Sequence, residues 1–282
     1  MSYYQPPKIK FTLSILIMIT YESLLRTRSD EPREITQRIM SNPIYDDVST
    51  ITVDGIVKEP LFDDRYYLHT IPKDTDLDTY DLIIFYHGSR GIAWTQILEY
   101  TKLCTLDKKY LIAFGQASGV VSKPKIDPNY GSATFGEIYW EIRHGHPQLT
   151  EDIMYTRSLV GDMKDQYPIR NTYLIGHSNG GVFALLLALY VPNLFTGIVS
   201  HMGGLGYDPG LQLNFNLLRS DDVKPPILFY TGEHDLHRVP CEVAKNIFAN
   251  EGFHVDLIIK EGIGHEYLPS CEPIILDWFK KN

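Results

Sequence analysis

With 282 residues, 44% of them hydrophobic and 22% charged, the chain has the composition of a globular protein and is neither disordered nor fibrous. Its formal net charge of −9 argues against nucleic acid as a partner, because phosphate binding needs clustered Lys and Arg, which the sequence lacks. Three cysteines, Cys104, Cys241 and Cys271, without a C-x-x-C spacing, argue against a disulfide framework and a zinc ribbon.

The length fits one large α/β domain, and a prior of ~150 residues per domain does not force a split. At the N-terminus, Lys8 and Lys10 precede an apolar run over 11–19 (FTLSILIMI). The run has the length of a signal-peptide core and falls well short of the ~20 apolar residues that span a bilayer. Thr20, Tyr21 and Glu22 are poor material for a cleavage site. Residues 1–48 are therefore read as an N-terminal extension packing on the body of the domain. Membrane anchoring or secretion through residues 8–20 is the alternative. Cysteine usage favours a reducing, cytoplasmic setting, with one disulfide plus a free thiol left open. Nothing in the sequence speaks to oligomeric state.

From residue 49 to 282 we expect a single domain in which strands and helices alternate. Residues 49–57 and 65–71 carry β-branched and aromatic residues and read as an early antiparallel pair. Short, almost wholly apolar runs follow at 82–86, 110–114, 172–175, 197–200, 227–230 and 255–259. Runs without a polar face belong to strands buried on both sides, as in a parallel sheet covered by helices.

Helical signals lie between them. Trp94, Ile97, Leu98 and Thr101 share one face. Thr150 reads as an N-cap, with Glu151 and Asp152 in the first turn. The helix it opens carries Ile153, Val160, Met163 and Tyr167 along one stripe and stops at Pro168. Residues 180–190 are apolar all round, which places that helix at the centre. Residues 240–250 and 272–280 complete a doubly wound, mostly parallel sheet with antiparallel N-terminal strands.

Gly176-His177-Ser178-Asn179-Gly180-Gly181 follows the strand over 171–175 and opens the buried helix. A G-x-S-x-G pentapeptide is common by chance, but strand, sharp turn and helix around it make a nucleophile elbow. With Ser178 at its tip, the chain resembles the α/β-hydrolase superfamily over residues 49–282. Over residues 152–181 it is similar to the polyhydroxybutyrate-depolymerase and feruloyl-esterase-like branch. The resemblance implies the α/β-hydrolase fold, a serine hydrolase activity, and three further motifs.

After the third strand, His87-Gly88-Ser89 is similar to the family's oxyanion motif. The backbone amides of Ser89 and Asn179 would bind the oxyanion, with His87 and Gly88 shaping the turn. Residues 231–240 resemble the family's acid loop, with Asp235 in the acid position and Glu233 in reserve. Glu261-Gly262-Ile263-Gly264-His265 resembles the base loop, which makes His265 the general base and His201 a second choice. The expected triad is Ser178, Asp235 and His265, in the superfamily's chain order.

A carboxylic ester is the expected small-molecule acyl substrate, hydrolysed through an acyl-enzyme without a cofactor. A peptidase, amidase or thioesterase would use the same residues, and a non-catalytic binding protein on this scaffold is the rival of another class. The pairs His234 and His237, and His144 and His146, lack the third and fourth partners that metal ligation needs, so no metal is expected. Residues 116–149, rich in Gly, Pro, Tyr and Trp, are a candidate wall of the site. Between 204 and 225 there is room only for a short insertion, so little or no lid domain is expected.

Overall fold

The computed structural model describes residues 56–61, 65–72, 77–89, 91, 93, 109–117, 125–126, 133–134, 139–205, 211, 213–266 and 269–282. The extension over 1–48, the helical face at 94–101, much of 116–138 and the insertion residues 206–210 lie outside them.

Strands β1 (Ile56–Pro60) and β2 (Tyr66–Thr70) pair antiparallel, with Ile56 opposite Thr70. The first strand thus runs to Pro60, further than its β-branched stretch suggests, and ends where proline removes a ladder donor. β3 (Tyr80–Tyr86) and β4 (Tyr110–Gly115) follow. A two-residue pair, β5 (Lys125–Ile126) and β6 (Ala133–Thr134), stands apart from the main sheet. Then come α1 (Pro147–Gln166), β7 (Ile169–His177), α2 (Asn179–Tyr190) and β8 (Gly197–His201). β9 (Ile227–Gly232), α3 (Arg238–Asn250), β10 (Val255–Lys260) and α4 (Glu272–Lys281) close the chain.

The eight-stranded sheet runs β1-β2-β4-β3-β7-β8-β9-β10, parallel from β4 to β10. Every residue of β3, β4, β8 and β9 is buried, and the period of two explains why both faces had to be apolar. Leu82, Ile84 and Tyr86 of β3 join the core under α1 and α2. Ile83 and Phe85 point to the other side, where Ile275, Leu276, Trp278 and Phe279 of α4 cover them. Helix α2 is buried from Gly180 to Leu189, as its all-round apolarity requires. Among the described residues, no helix is long and apolar enough to cross a membrane.

Helix α1 departs from expectation at its start. It begins at Pro147, where the missing N–H costs nothing and φ is preset, and His146 is its N-cap, accepting the Gln148 N–H at 3.2 Å. Thr150 is an exposed residue inside the helix. Asp152 is not a solvated first-turn carboxylate but is wholly buried, paired with Arg65 at 2.8 Å.

Strand order also locates the site. From β3 the chain passes to β4 on one side and then returns to β7 on the other. The carboxyl ends of β3 and β7 therefore flank a crevice at a switch point, the usual ligand position in an open α/β sheet.

Candidate active site

Ser178 stands between β7 and α2 with φ 52° and ψ −117°, a conformation that costs a non-glycine residue ~1–3 kcal/mol and persists only when its surroundings enforce it. The surroundings do so. A Cβ at Gly176 would lie 2.0 Å from the Gly180 carbonyl oxygen, and one at Gly88 would lie 3.1 Å from Ser178 Cβ. The turn closes only because Gly176 is bare, and a Cβ at Gly88 would press on it. The Ser178 N–H donates to the His201 carbonyl at 2.8 Å, while the Ser178 carbonyl accepts from Gly181 and Val182. Asn179 is the first residue of α2, so its N–H has no carbonyl within the helix.

His265, on the loop after β10, brings Nε2 to 3.0 Å from Ser178 Oγ and Nδ1 to 2.9 Å from Asp235 Oδ1. The Asp235 side chain is sealed from solvent, whereas that of His265 remains 28% exposed. Asp235 also accepts the Thr231 hydroxyl on Oδ2 at 3.0 Å and the His237 N–H on Oδ1 at 2.8 Å. Burial pushes its carboxyl up, but the bonds from His265, the His237 amide and Thr231 outweigh it and hold the group below the usual range. A charged Asp235 fixes the neutral imidazole with its proton on Nδ1 and its lone pair on the Ser178 side.

Glu233 does not take the acid position. Its carboxylate accepts the Gly262 N–H at 3.0 Å, and the His234 N–H donates to the Ile263 carbonyl at 2.8 Å. These bonds stitch the loop after β9 to the loop that carries His265. His201 does not meet the serine hydroxyl either. It is fully buried, its Nδ1 lies 2.8 Å from His177 Nδ1, and its ring stacks on Tyr230. Burial lowers both histidines, His177 to about 3 and His201 well below its ordinary value, so the pair is neutral. His144 meets the Tyr190 hydroxyl at 2.6 Å, and His146 caps α1. Among the described residues, no group of three or more His, Cys, Asp or Glu is placed to hold a metal ion.

After β3, His87 is fully buried and burial lowers it to about 4. Its Nε2 accepts the Ala117 N–H at 3.1 Å, which puts the ring proton on Nδ1, and Nδ1 donates to the Gly88 carbonyl at 2.8 Å. Gly91 N–H donates to the same carbonyl at 3.0 Å. In a trans peptide the N–H opposes the C=O, so the Ser89 N–H faces away from the His87 ring.

Sequence reasoning did not single out Trp140 or Thr231. Trp140 lies in the segment read as a wall, and its backbone N–H and carbonyl both bond the Asn179 side chain, at 2.8 and 3.1 Å. The only signal was an aromatic cluster without periodicity. Thr231 lies one residue before the end of β9 and gave none.

The model of the Esterase family matches residues 70–207, a span that holds both the His87 loop and the Ser178 turn and stops before Asp235. An uncharacterized hydrolase of Acanthamoeba polyphaga mimivirus is 30% identical over 228 residues, covering 74% of this chain and 63% of that protein. The chain thus spans less than two thirds of the length of that relative. Among solved structures, a Bacillus cereus carboxylesterase superposes with a TM-score of 0.55 at 17% identity, covering 77% of this chain and 94% of that one. An S-formylglutathione hydrolase from Agrobacterium tumefaciens reaches 0.57 at 14% identity, covering 83% and 98%. The mostly parallel sheet with its antiparallel first strands, together with these superpositions, gives the chain the α/β-hydrolase fold.

Proposed function

We propose that the chain is a serine hydrolase that cleaves carboxylic esters through an acyl-enzyme. The observation that carries this is the unbroken bonded series from Asp235 through His265 to Ser178, at 2.9 and 3.0 Å. A serine hydroxyl attacks a carbonyl only when a base takes its proton, and the base must be held in one tautomer. His265 Nε2 takes the Ser178 proton as Oγ bonds to the acyl carbon. Asp235 then stabilises the imidazolium without itself becoming protonated. The imidazolium donates the proton to the departing alkoxide oxygen. Water, deprotonated by the same Nε2, then attacks the acyl carbon, and the Oγ–acyl bond breaks as Nε2 returns that proton to Ser178 and the acid leaves.

The tetrahedral oxyanion would be met by the N–H of Asn179, at the positive end of α2, and by the N–H of Ser89, turned outward by the His87 ring. Each such donor is worth ~2.7–4 kcal/mol in the transition state. An ester is favoured because the Esterase model covers both loops that supply these amides.

Labelling of the purified protein with a fluorophosphonate probe, mapped by mass spectrometry, tests the reading. The expected result is one adduct at Ser178 that Ser178→Ala abolishes, together with turnover of p-nitrophenyl acetate. Folded protein that takes no label and turns over no ester would sink it.

A further inference from the structure

Resting on the ester-hydrolase reading, we propose that Asn179 and Trp140 form a positioning pair that fixes the two oxyanion amides relative to each other. The two amides sit on separate loops, one after β3 and one at the start of α2, and no covalent feature sets their separation. Trp140 touches both. The Asn179 carboxamide accepts the Trp140 N–H at 2.8 Å and donates to the Trp140 carbonyl at 3.1 Å, so it grips both backbone groups of a single residue. The Trp140 indole N–H donates to the His87 carbonyl at 3.1 Å, one residue before Gly88.

Packing holds the bridge rigid. The indole stacks on Phe183 of α2 with centroids 5.1 Å apart and planes 6° apart, and lies 4.2 Å from the Tyr86 ring of β3. Behind it, the Glu141 N–H donates to Asp152 at 2.9 Å, and Asp152 is itself held by Arg65. Trp140 is fully buried, so it touches no substrate and acts through its neighbours. Asn179 has a double part. Its backbone N–H faces the oxyanion, and its side chain ties that N–H to the far loop.

A packing role and a positioning role separate in the reaction itself. Sulfur accepts hydrogen bonds more weakly than oxygen, so the rate ratio between p-nitrophenyl acetate and its thionoester analogue reports how well the amides are aimed. General damage to the fold slows both substrates alike. The test compares kcat, KM and this ratio in the wild type, Asn179→Ala and Trp140→Phe, each checked for folding by thermal melting. For Asn179→Ala, kcat on the oxoester should fall ~30-fold with KM within about twofold, and the ratio should fall ~10-fold. Trp140→Phe keeps the stack and loses the bond to His87, so its ratio should fall less, about threefold.

Variants that slow both esters equally, or slow neither, overturn the proposal while leaving the hydrolase reading intact. Should Asn179→Ala fail to fold, the ratio in Trp140→Phe decides alone. A folded wild type that cleaves neither ester overturns the hydrolase reading, and this inference with it.

Discussion

The buried His87 at the end of β3 makes the fold sensitive to mild acid. His87 is held neutral, with its pKa lowered to about 4 by burial, whereas in the unfolded chain an exposed histidine titrates near ~6.5. Between those values the unfolded state binds more protons than the folded one, so stability rises with pH across the window and is lost as pH falls through it. At pH ~5 the unfolded imidazole is almost fully charged and the folded one is mostly neutral. Linkage at ~1.4 kcal/mol per unit then gives a loss of about 2 kcal/mol relative to pH ~8 from this residue alone. His177 and His201, lowered in the same direction, add to the slope. Urea unfolding at pH ~8, ~6.5 and ~5 measures it. His87→Gln can still accept the Ala117 N–H but does not titrate, so the variant should lose about 2 kcal/mol less between pH ~8 and ~5 than the wild type does. A variant with the wild-type slope would refute the assignment of that proton to His87.

Two further outcomes follow from the site geometry. Thr231→Val removes the hydroxyl that Asp235 Oδ2 accepts without changing shape, and a hydrogen bond to a charged group is worth ~1.5–3 kcal/mol. We expect kcat on p-nitrophenyl acetate to fall about tenfold at similar KM, with Thr231→Ser restoring it; equal kinetics in Val and Ser would exclude a part for this bond. Ser178→Gly should abolish turnover yet raise stability by about 1 kcal/mol, because glycine tolerates the positive φ that serine strains to hold. A lower midpoint in urea would mean that the turn carries no strain.

Much of this architecture could be read from the chain because its signals are local. Each apolar run between turn residues became a strand. Those in β3, β4, β7, β8 and β9 lie inside the sheet, where both faces must be apolar. The run at 255–259, expected to be buried on both sides, forms the half-exposed edge strand β10. Ser178, Asp235 and His265, each picked from the loop after such a run, come within bonding distance because parallel strands end at one edge. What escaped was set by distant partners. Asp152 reads as a first-turn residue of a helix, and its burial is met by partners that no local signal marks, Arg65, 87 residues away, and the Glu141 N–H. Pro147 opens α1, three residues before Thr150, which reads as its cap in the sequence. Trp140 meets Asn179 across 39 positions, a pairing that no periodicity in either segment encodes.

The neutral histidines bear on why only one imidazole should serve as base. Four rings crowd the serine side of the sheet, with His177 and His237 centred 5.6 and 4.9 Å from His265 and His201 behind His177. Any of them, if charged, would repel an imidazolium at His265. Burial lowers His177, His201 and His237, which weakens that repulsion and leaves Asp235 as the carboxylate bonded to the cluster. Since Asp235 Oδ1 bonds the His265 ring directly and meets His237 through its backbone amide, the charge that the proposed transfer of the Ser178 proton would form is stabilised at one ring among four. On the proposed mechanism, the choice of base would come from the lowered pKa of its neighbours as much as from which ring touches the acid.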